Sequence, residues 1–224
     1  MLTFGLAMGI SPFGFLEQVV VGNILGDAWM ERKSPKANAR LRYSQTSPAH
    51  DSRFFYTFMY YVLYCAGPAT YRLRIDPRTG TASGSWQFST RSMPFFTDFY
   101  VLFYVDGVKT VPVDIMQLLT PVAIAFWIMD DANYNTNGGL VFNIQGFSIE
   151  GVDRLVAALN ANLGINCYRM KDSRGLPIIY VRKHEVLIVA AQVAQYMHPS
   201  THYKLGLLDP VLYQHLFWFF GRWP

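Results

Sequence analysis

The sequence predicts an α+β fold built as tandem, pseudo-symmetric αββαββα repeats with two antiparallel sheets. Three observations carry that reading. Two ten-residue apolar stretches, VVVGNILGDA and AIAFWIMDDA, close on an acid followed by Ala, at Asp27–Ala28 and Asp131–Ala132. Each is followed by the same succession of alternating and amphipathic segments. Each succession ends on a lysine, Lys109 in VKTVP and Lys204 in YKLGL, 82 and 73 residues beyond its aspartate. Self-similarity of this kind is the signature of a duplicated structural unit.

The elements follow in order. Behind the first apolar helix comes the polar turn KSPKANA, then LRYSQ, whose apolar–polar alternation is that of a half-buried strand ending at Gln45. Residues 51–65 read as a helix. TYRLRI and SWQFST read as two strands, with Gly80 and Gly84 taken as the hairpin connection between them. Residues 94–105, opened by Pro94, are amphipathic. The second unit repeats the order: the turn NYNTNGG, the strand VFNIQ ending at Gln145, a helix over 148–163 before Gly164, the strands CYRMK and PIIYVRK, and an amphipathic segment over 185–197. The join lies within about 110–120, where Pro112, Asp114 and then Pro121 interrupt the apolar pattern. The two repeats are therefore assigned to residues 1–113 and 114–224.

Composition excludes some classes. With 51% hydrophobic and 15% charged residues over 224 positions, the chain can bury a sizeable core and is not disordered. A net charge of +4 permits a polyanionic partner. Of 19 Lys and Arg, 14 fall in the strand-rich segments 32–42, 72–91 and 169–183, which predicts basic sheet faces. The two cysteines, Cys65 and Cys167, sit in no zinc-type array and read as buried free thiols of a reducing compartment. The start, MLTFGLAMGISPFG, lacks the basic region of a secretion signal and the arginine-rich character of a transit peptide. The apolar run over 54–71 carries five Tyr, a Gly and a Pro, which is unlike a membrane span. The aromatic tail VLYQHLFWFFGRWP reads as a C-terminal packing helix.

An apolar helix ending in Asp is by itself only a helix meeting solvent. Its repetition gives it meaning. Gly22 and Gly26 lie four apart, on one helix face, and let a second helix come close; Ala125 offers a small surface on the other helix. If the two helices pack, Asp27 and Asp131 lie side by side where unpaired carbonyls and the helix dipoles add negative character. Those carboxylates, with the carbonyls of Gly26 and Asp130, make an oxygen-rich site for a hard cation. Mg²⁺ suits it because it takes few protein ligands and keeps several waters; Mn²⁺ or Ca²⁺ could replace it for binding. Duplicated acids and lysines suit chemistry on two equivalent bonds, as in the two strands of a DNA duplex.

GNILGDA and AFWIMDDA resemble the signature helices of the LAGLIDADG homing endonucleases. With NCYRMK, PIIYVRK and HYKLG, the stretch over about 18–206 is similar to the single-chain, two-motif branch typified by the yeast mitochondrial large-ribosomal-RNA intron endonuclease. The resemblance implies the signature helices at the repeat interface and a saddle of strands in the DNA major groove. It implies cleavage of both strands across the minor groove of a long site. It makes Asp27 and Asp131 metal ligands, Lys109 and Lys204 basic active-site residues, and Gln45 and Gln145 organisers of water at the scissile phosphates. Ala28 and Ala132 stand where the motif has Gly, and Leu25 and Met129 where it has an acid; no needed ligand is lost. The family also includes maturases that assist splicing of their intron RNA, which is the alternative function. Both acids are present, which favours a nuclease that acts as a monomer on double-stranded DNA, with intron RNA a second partner and no membrane. Synthesis inside an organelle, a mitochondrion before a chloroplast, fits the missing targeting signal.

The DNA-facing candidates are Arg40, Arg42, Arg72, Arg74, Trp86, Gln87, Lys171, Arg174 and Arg182. Residues two apart on a strand share a face, and Arg is the usual reader of guanine in the major groove. His198 and His202 read as surface residues, because Pro199 spoils a helical metal pair.

Overall fold

The computed structural model of the chain describes residues 14–135 and 138–207. The N-terminal residues tested for a targeting signal and the aromatic tail over 211–224 lie outside the described residues. The first repeat contains α1 (Phe15–Leu25), β1 (Trp29–Glu31), β2 (Arg40–Ser47), α2 (Asp51–Tyr61), β3 (Thr70–Ile75), β4 (Ala82–Ser89) and α3 (Pro94–Phe103). It ends on a small hairpin, β5 (Tyr104–Val105) and β6 (Val108–Lys109). A one-turn helix α4 (Ile115–Leu118) occupies the join. The second repeat contains α5 (Pro121–Asp131), β7 (Ala132–Tyr134), β8 (Leu140–Asn143), α6 (Ile149–Leu163), β9 (Tyr168–Lys171), β10 (Pro177–Val181) and α7 (Lys183–Val193), and then a 3₁₀ segment, Pro199–Leu205.

The duplication is visible in the sheets. Their strand orders are β1-β2-β4-β3 and β7-β8-β10-β9, all neighbours antiparallel. Local chemistry sets the helix ends. Thr120 caps α5 by accepting from the Ala123 amide, and Pro121 takes the first position, where no amide bond is lost. Ser148 caps α6 in the same way through Gly151, and Gly164 closes it at φ 66°, a left-handed conformation that glycine adopts without strain. Gly80, at φ 69°, does turn the β3–β4 hairpin. Gly84 instead lies inside β4 beneath the Tyr71 ring, where a side chain has no room.

α1 and α5 are almost wholly buried and form the centre of the molecule. Aligning Asp27 with Asp131 makes Gly22 equivalent to Phe126 and Gly26 equivalent to Asp130. These pairs meet each other across the crossing. A β-carbon added at Gly22 would lie 2.8 Å from Phe126 Cβ, and one at Gly26 would lie 2.4 Å from Asp130 Cβ. A residue on a pseudo-dyad must face its own counterpart, so a large side chain in one copy requires glycine in the other. The bulky residues of the second motif are accommodated in this way. Phe126 spans over Gly22 toward Tyr56 and Tyr60, and Trp127 packs on Phe142 of β8 with centroids 4.4 Å apart and the rings tilted by 40°. Ala123 also faces the crossing, its carbonyl oxygen the nearest atom to a β-carbon added at Gly22, and the expected Ala125 is fully buried.

Gly22→Val should therefore be severely destabilising. Its Cβ would sit 2.3 Å from the Ala123 backbone oxygen, which cannot move without opening the crossing. The expected loss is about 3 kcal/mol, the upper range for overpacking. Gly67 has nothing within 4 Å of its added Cβ, so Gly67→Ala should stay within about 0.5 kcal/mol of the parent. Urea titrations of the two variants make the comparison.

Candidate active site and nucleic-acid interface

The crossing of α1 and α5 brings their C-terminal ends together, and with them Asp27 and Asp131. Asp27 is the more open, its side chain 36% exposed. Its Oδ2 accepts from Gln45 Nε2 at 2.6 Å and lies 3.6 Å from Arg53 Nη2. Asp131 is more enclosed. Burial pushes its carboxyl up to about 7, and the neighbouring charges of Asp27 and Asp130 add to the effect, against the pull of Lys109 and Lys204. Two acids at such close quarters call for a counter-charge.

Both lysines reach these helix ends by different routes. Lys109 comes from the β5–β6 hairpin and Lys204 from the 3₁₀ segment. Lys109 Nζ donates to the carbonyls of Ile24, Gly26 and Ala28 at 2.8, 3.2 and 3.1 Å. Lys204 Nζ donates to Ile128, Met129 and Asp130 at 3.2, 2.6 and 3.2 Å. Each ammonium thus satisfies carbonyls that the end of its signature helix leaves unpaired. Burial lowers both lysines, Lys204 to about 8.

The carbonyls of Gly26 and Asp130, expected beside the metal, each accept from a lysine, which leaves one further lone pair on each oxygen. The Asp130 carboxylate is turned inward, its side chain 1% exposed. It accepts from Tyr43 Oη at 2.7 Å, Asn23 Nδ2 at 3.0 Å, the Asp27 amide at 3.3 Å and Arg53 Nη1 at 3.1 Å. Burial pushes it up to about 6, and the Arg53 guanidinium pulls it the other way. The side chains that a cation would meet at the helix ends are the carboxylates of Asp27 and Asp131. Among the described residues no cluster of three or more His, Cys, Asp or Glu has metal-binding geometry. Two carboxylates fit Mg²⁺, which binds through one or two carboxylates and retains water.

Arg53 is the site residue that the sequence reading missed. It is 3% exposed, stands in the first turn of α2, and reaches from the first repeat into the second. Besides Asp130 and Asp27 it donates to the Gln45 amide oxygen and the Met129 carbonyl. The second repeat has no counterpart. The third residue of α6 is Gly151, packed on Val111.

Gln145 needs a correction. Strand pairing matches Tyr43 with Phe142: Ala132 is paired with Phe142, and the Trp29–Arg42 register carried one residue further sets Ala28 against Tyr43; Gln45 is then matched by Ile144. Gln145 falls one residue later and donates to Asp172 at 3.4 Å. The amide that Gln45 presents to Asp27 thus has an apolar counterpart, Ile144, in the second repeat. His202 is also corrected: it is 3% exposed, with Nε2 3.1 Å from the Ala194 carbonyl. Cys167 is buried as expected, whereas Cys65 is half-buried; burial raises both thiols, to about 12 and about 11.

The sheets each present one face to α-helices and leave one open. In the first, Leu41, Tyr43 and Gln45 are buried and Arg40, Arg42 and Ser44 face out. Register puts Gln87 opposite Ser44 and Thr70, and Arg72 and Arg74 opposite Ser85 and Ser83, all on the open face. Glu31 pairs with both Arg40 and Arg42 at 2.7 Å, and Arg42 lies over Trp29. Gln87, with its amide oxygen toward Arg72, accepts from that guanidinium. Trp86 does not belong to this face. It shares the helix side with Gln45 and Tyr71 and packs on Phe54 and Phe55 of α2. Lys171 is corrected likewise: it shares the helix-side parity of Arg169, which pairs with Asp153 of α6 at 2.9 Å. Arg174 lies in the β9–β10 turn, bonded to Asp172, and Arg182 continues the open face of β10, its guanidinium 5.3 Å over Tyr168. Among the described residues no helix is long and apolar enough to cross a membrane.

Comparison with known proteins agrees with this arrangement. Residues 17–188 match the LAGLIDADG DNA endonuclease family. The chain is 29% identical over 192 residues to the cytochrome b mRNA maturase bI2 of Debaryomyces hansenii, covering 84% of this chain and 72% of that one. It is 27% identical over 196 residues to the probable intron-encoded endonuclease 1 of Wickerhamomyces canadensis, covering 84% and 83%. In fold it is similar to the homing endonuclease I-WcaI bound to its DNA recognition sequence, with a TM-score of 0.76, 24% identity, and coverage of 91% of this chain and 95% of that one.

Proposed function

Since the chain belongs to the LAGLIDADG DNA endonuclease family, we propose that it is a site-specific, Mg²⁺-dependent enzyme that hydrolyses one phosphodiester in each strand of a long DNA site, across the minor groove. One observation carries the reading: the two signature helices meet at their ends, with Asp27 near enough for its charge to raise the Asp131 carboxyl, at the junction of two repeats that each present an open sheet face. Mg²⁺ held by these two carboxylates would, when bound, activate water and stabilise the charge that develops on phosphorus. Gln45 orients the Asp27 carboxylate, and Arg53 fixes Gln45 in turn. Lys109 and Lys204 hold the helix ends and bring positive charge next to the aspartates. The open-face arginines Arg40, Arg42, Arg72 and Arg74 supply phosphate and base contacts.

Both motifs lie in one chain, so the reading is of a monomer. Relatives named for cytochrome b mRNA support an organellar setting, mitochondrial rather than plastid. The same relatives support intron RNA splicing as a second reading. A library of randomised duplexes incubated with Mg²⁺ tests the first: a defined cleaved sequence is expected, and none should appear in EDTA. Cleavage without sequence preference, or splicing assistance with no cleavage of any duplex, would overturn it.

A further inference from the structure

We propose that the second sheet recognises its half-site through thymine methyl groups, an apolar readout unlike the arginine readout of the first sheet. The inference rests on the reading of the chain as a DNA endonuclease and adds what one half of the site must contain. The two sheets have the same strand order, so their registers can be superposed residue by residue. Matching Tyr43 with Phe142 equates Arg42 with Val141; the paired strands then equate Gln87 with Ile178, Ser89 with Tyr180 and Thr70 with Met170. Four polar residues on the open face of the first sheet are thus replaced by apolar or aromatic ones on the second.

These side chains are not absorbed by the core. Met170 is 41% and Tyr168 38% exposed, and Val141, Ile178 and Tyr180 are half-buried on the same face. Tyr168 and Tyr180 meet edge to face with centroids 5.7 Å apart, and Tyr180 lies against the backbone of Gly139. A contiguous apolar face on a sheet marks an interaction surface. The occupant is identified by continuity and charge. The pseudo-dyad that gives the first sheet a polar, arginine-bearing DNA face gives the second sheet the same partner. Arg182, beside Tyr168, retains a positive charge for the phosphates. Among the bases, thymine alone offers a methyl group in the major groove, and apolar side chains read it by contact.

The test begins with the full chain and selection of bound, not cleaved, duplexes from a randomised library. Arg72→Ala relaxes selection in the half-site under the first sheet and so tells the halves apart. Thymines in each half are then replaced by deoxyuracil, which removes the methyl and keeps the pairing. In the half under the second sheet, affinity should fall about fourfold for each contacted methyl, the worth of one buried carbon. In the other half it should change less than twofold. Met170→Ser with Ile178→Ser should bind thymine and deoxyuracil duplexes equally, and its cooperative thermal melt, lowered somewhat because Ile178 is half-buried in β10, shows that it still folds. A thymine-poor second half-site, equal losses in both halves, or a dimer joined through this face with no deoxyuracil effect would overturn the proposal. Bound duplexes that are never cleaved would overturn the nuclease reading and leave methyl recognition standing.

Discussion

Replacing either Asp27 or Asp131 by Asn is expected to lower double-strand cleavage about a hundred- to a thousand-fold while leaving DNA affinity largely intact. Asn preserves shape, so Gln45 can still donate to position 27. It removes the charge that would hold a cation. The strands that present Arg42, Arg72 and Arg74 lie outside the helix crossing, so the DNA seat is not disturbed. The two acids are electrostatically coupled, since the Asp27 charge helps to raise the Asp131 carboxyl. Either substitution therefore alters the environment of both strands' cleavage sites. A supercoiled plasmid bearing the site should stay supercoiled with both variants. In metal-free buffer each variant should melt at or above the parent temperature, because a repulsion has been relieved; this separates lost chemistry from lost folding. Linear product at the parent rate would remove these residues from the active site, and rapid accumulation of nicked circles would assign each aspartate to its own strand.

The parts of this architecture that were legible in the sequence are those that the duplication wrote twice. The apolar helices ending in Asp27 and Asp131 and the lysines beyond them recur at similar spacing, and the repeated order of elements follows from the alternating and amphipathic segments between them. Arg53 was hidden by the same logic. Its repeat counterpart is Gly151, and an arginine in the first turn of an amphipathic helix reads as a solvated charge until the Asp130 carboxylate is found beneath it. Gln145 failed because equal letters do not guarantee equal register: β8 ends at Asn143, and the position of Gln45 falls to Ile144. Trp86 and Lys171 failed on parity. A strand read alone shows two faces but not which one the helices cover, and only pairing with Gln45 in one sheet and Ile179 beyond Arg169 in the other decides it. The capping role of both lysines depends on carbonyl positions that no side-chain pattern records.

Arg53→Met is expected to be the most destabilising single change at the site, by about 3–5 kcal/mol, the cost of leaving one member of a buried ion pair without its partner. The guanidinium is 4% and the Asp130 carboxylate 1% exposed, so water cannot replace the lost contact. Tyr43, Asn23 and the Asp27 amide would still donate to Asp130, but three neutral donors do not balance a buried charge that also faces Asp27. The decisive comparison is a double-mutant cycle with Asp130→Asn, read by urea unfolding. An asparagine at position 130 would carry no charge and could keep one of the two acceptor contacts, its Oδ1 taking the Tyr43 hydroxyl while its amide NH2 replaces the oxygen that faces Asn23, so the double variant should recover part of the stability lost in Arg53→Met alone. Activity should not return with it. Arg53 also holds the Gln45 amide that donates to Asp27, and neither substitution can restore that support. Recovery of folding without recovery of cleavage would separate the two duties of Arg53, neutralising Asp130 across the repeat interface and positioning Gln45 at the aspartate. A loss below about 1 kcal/mol in the single variant, the range of an exposed pair, would show that Asp130 does not depend on Arg53 for its charge.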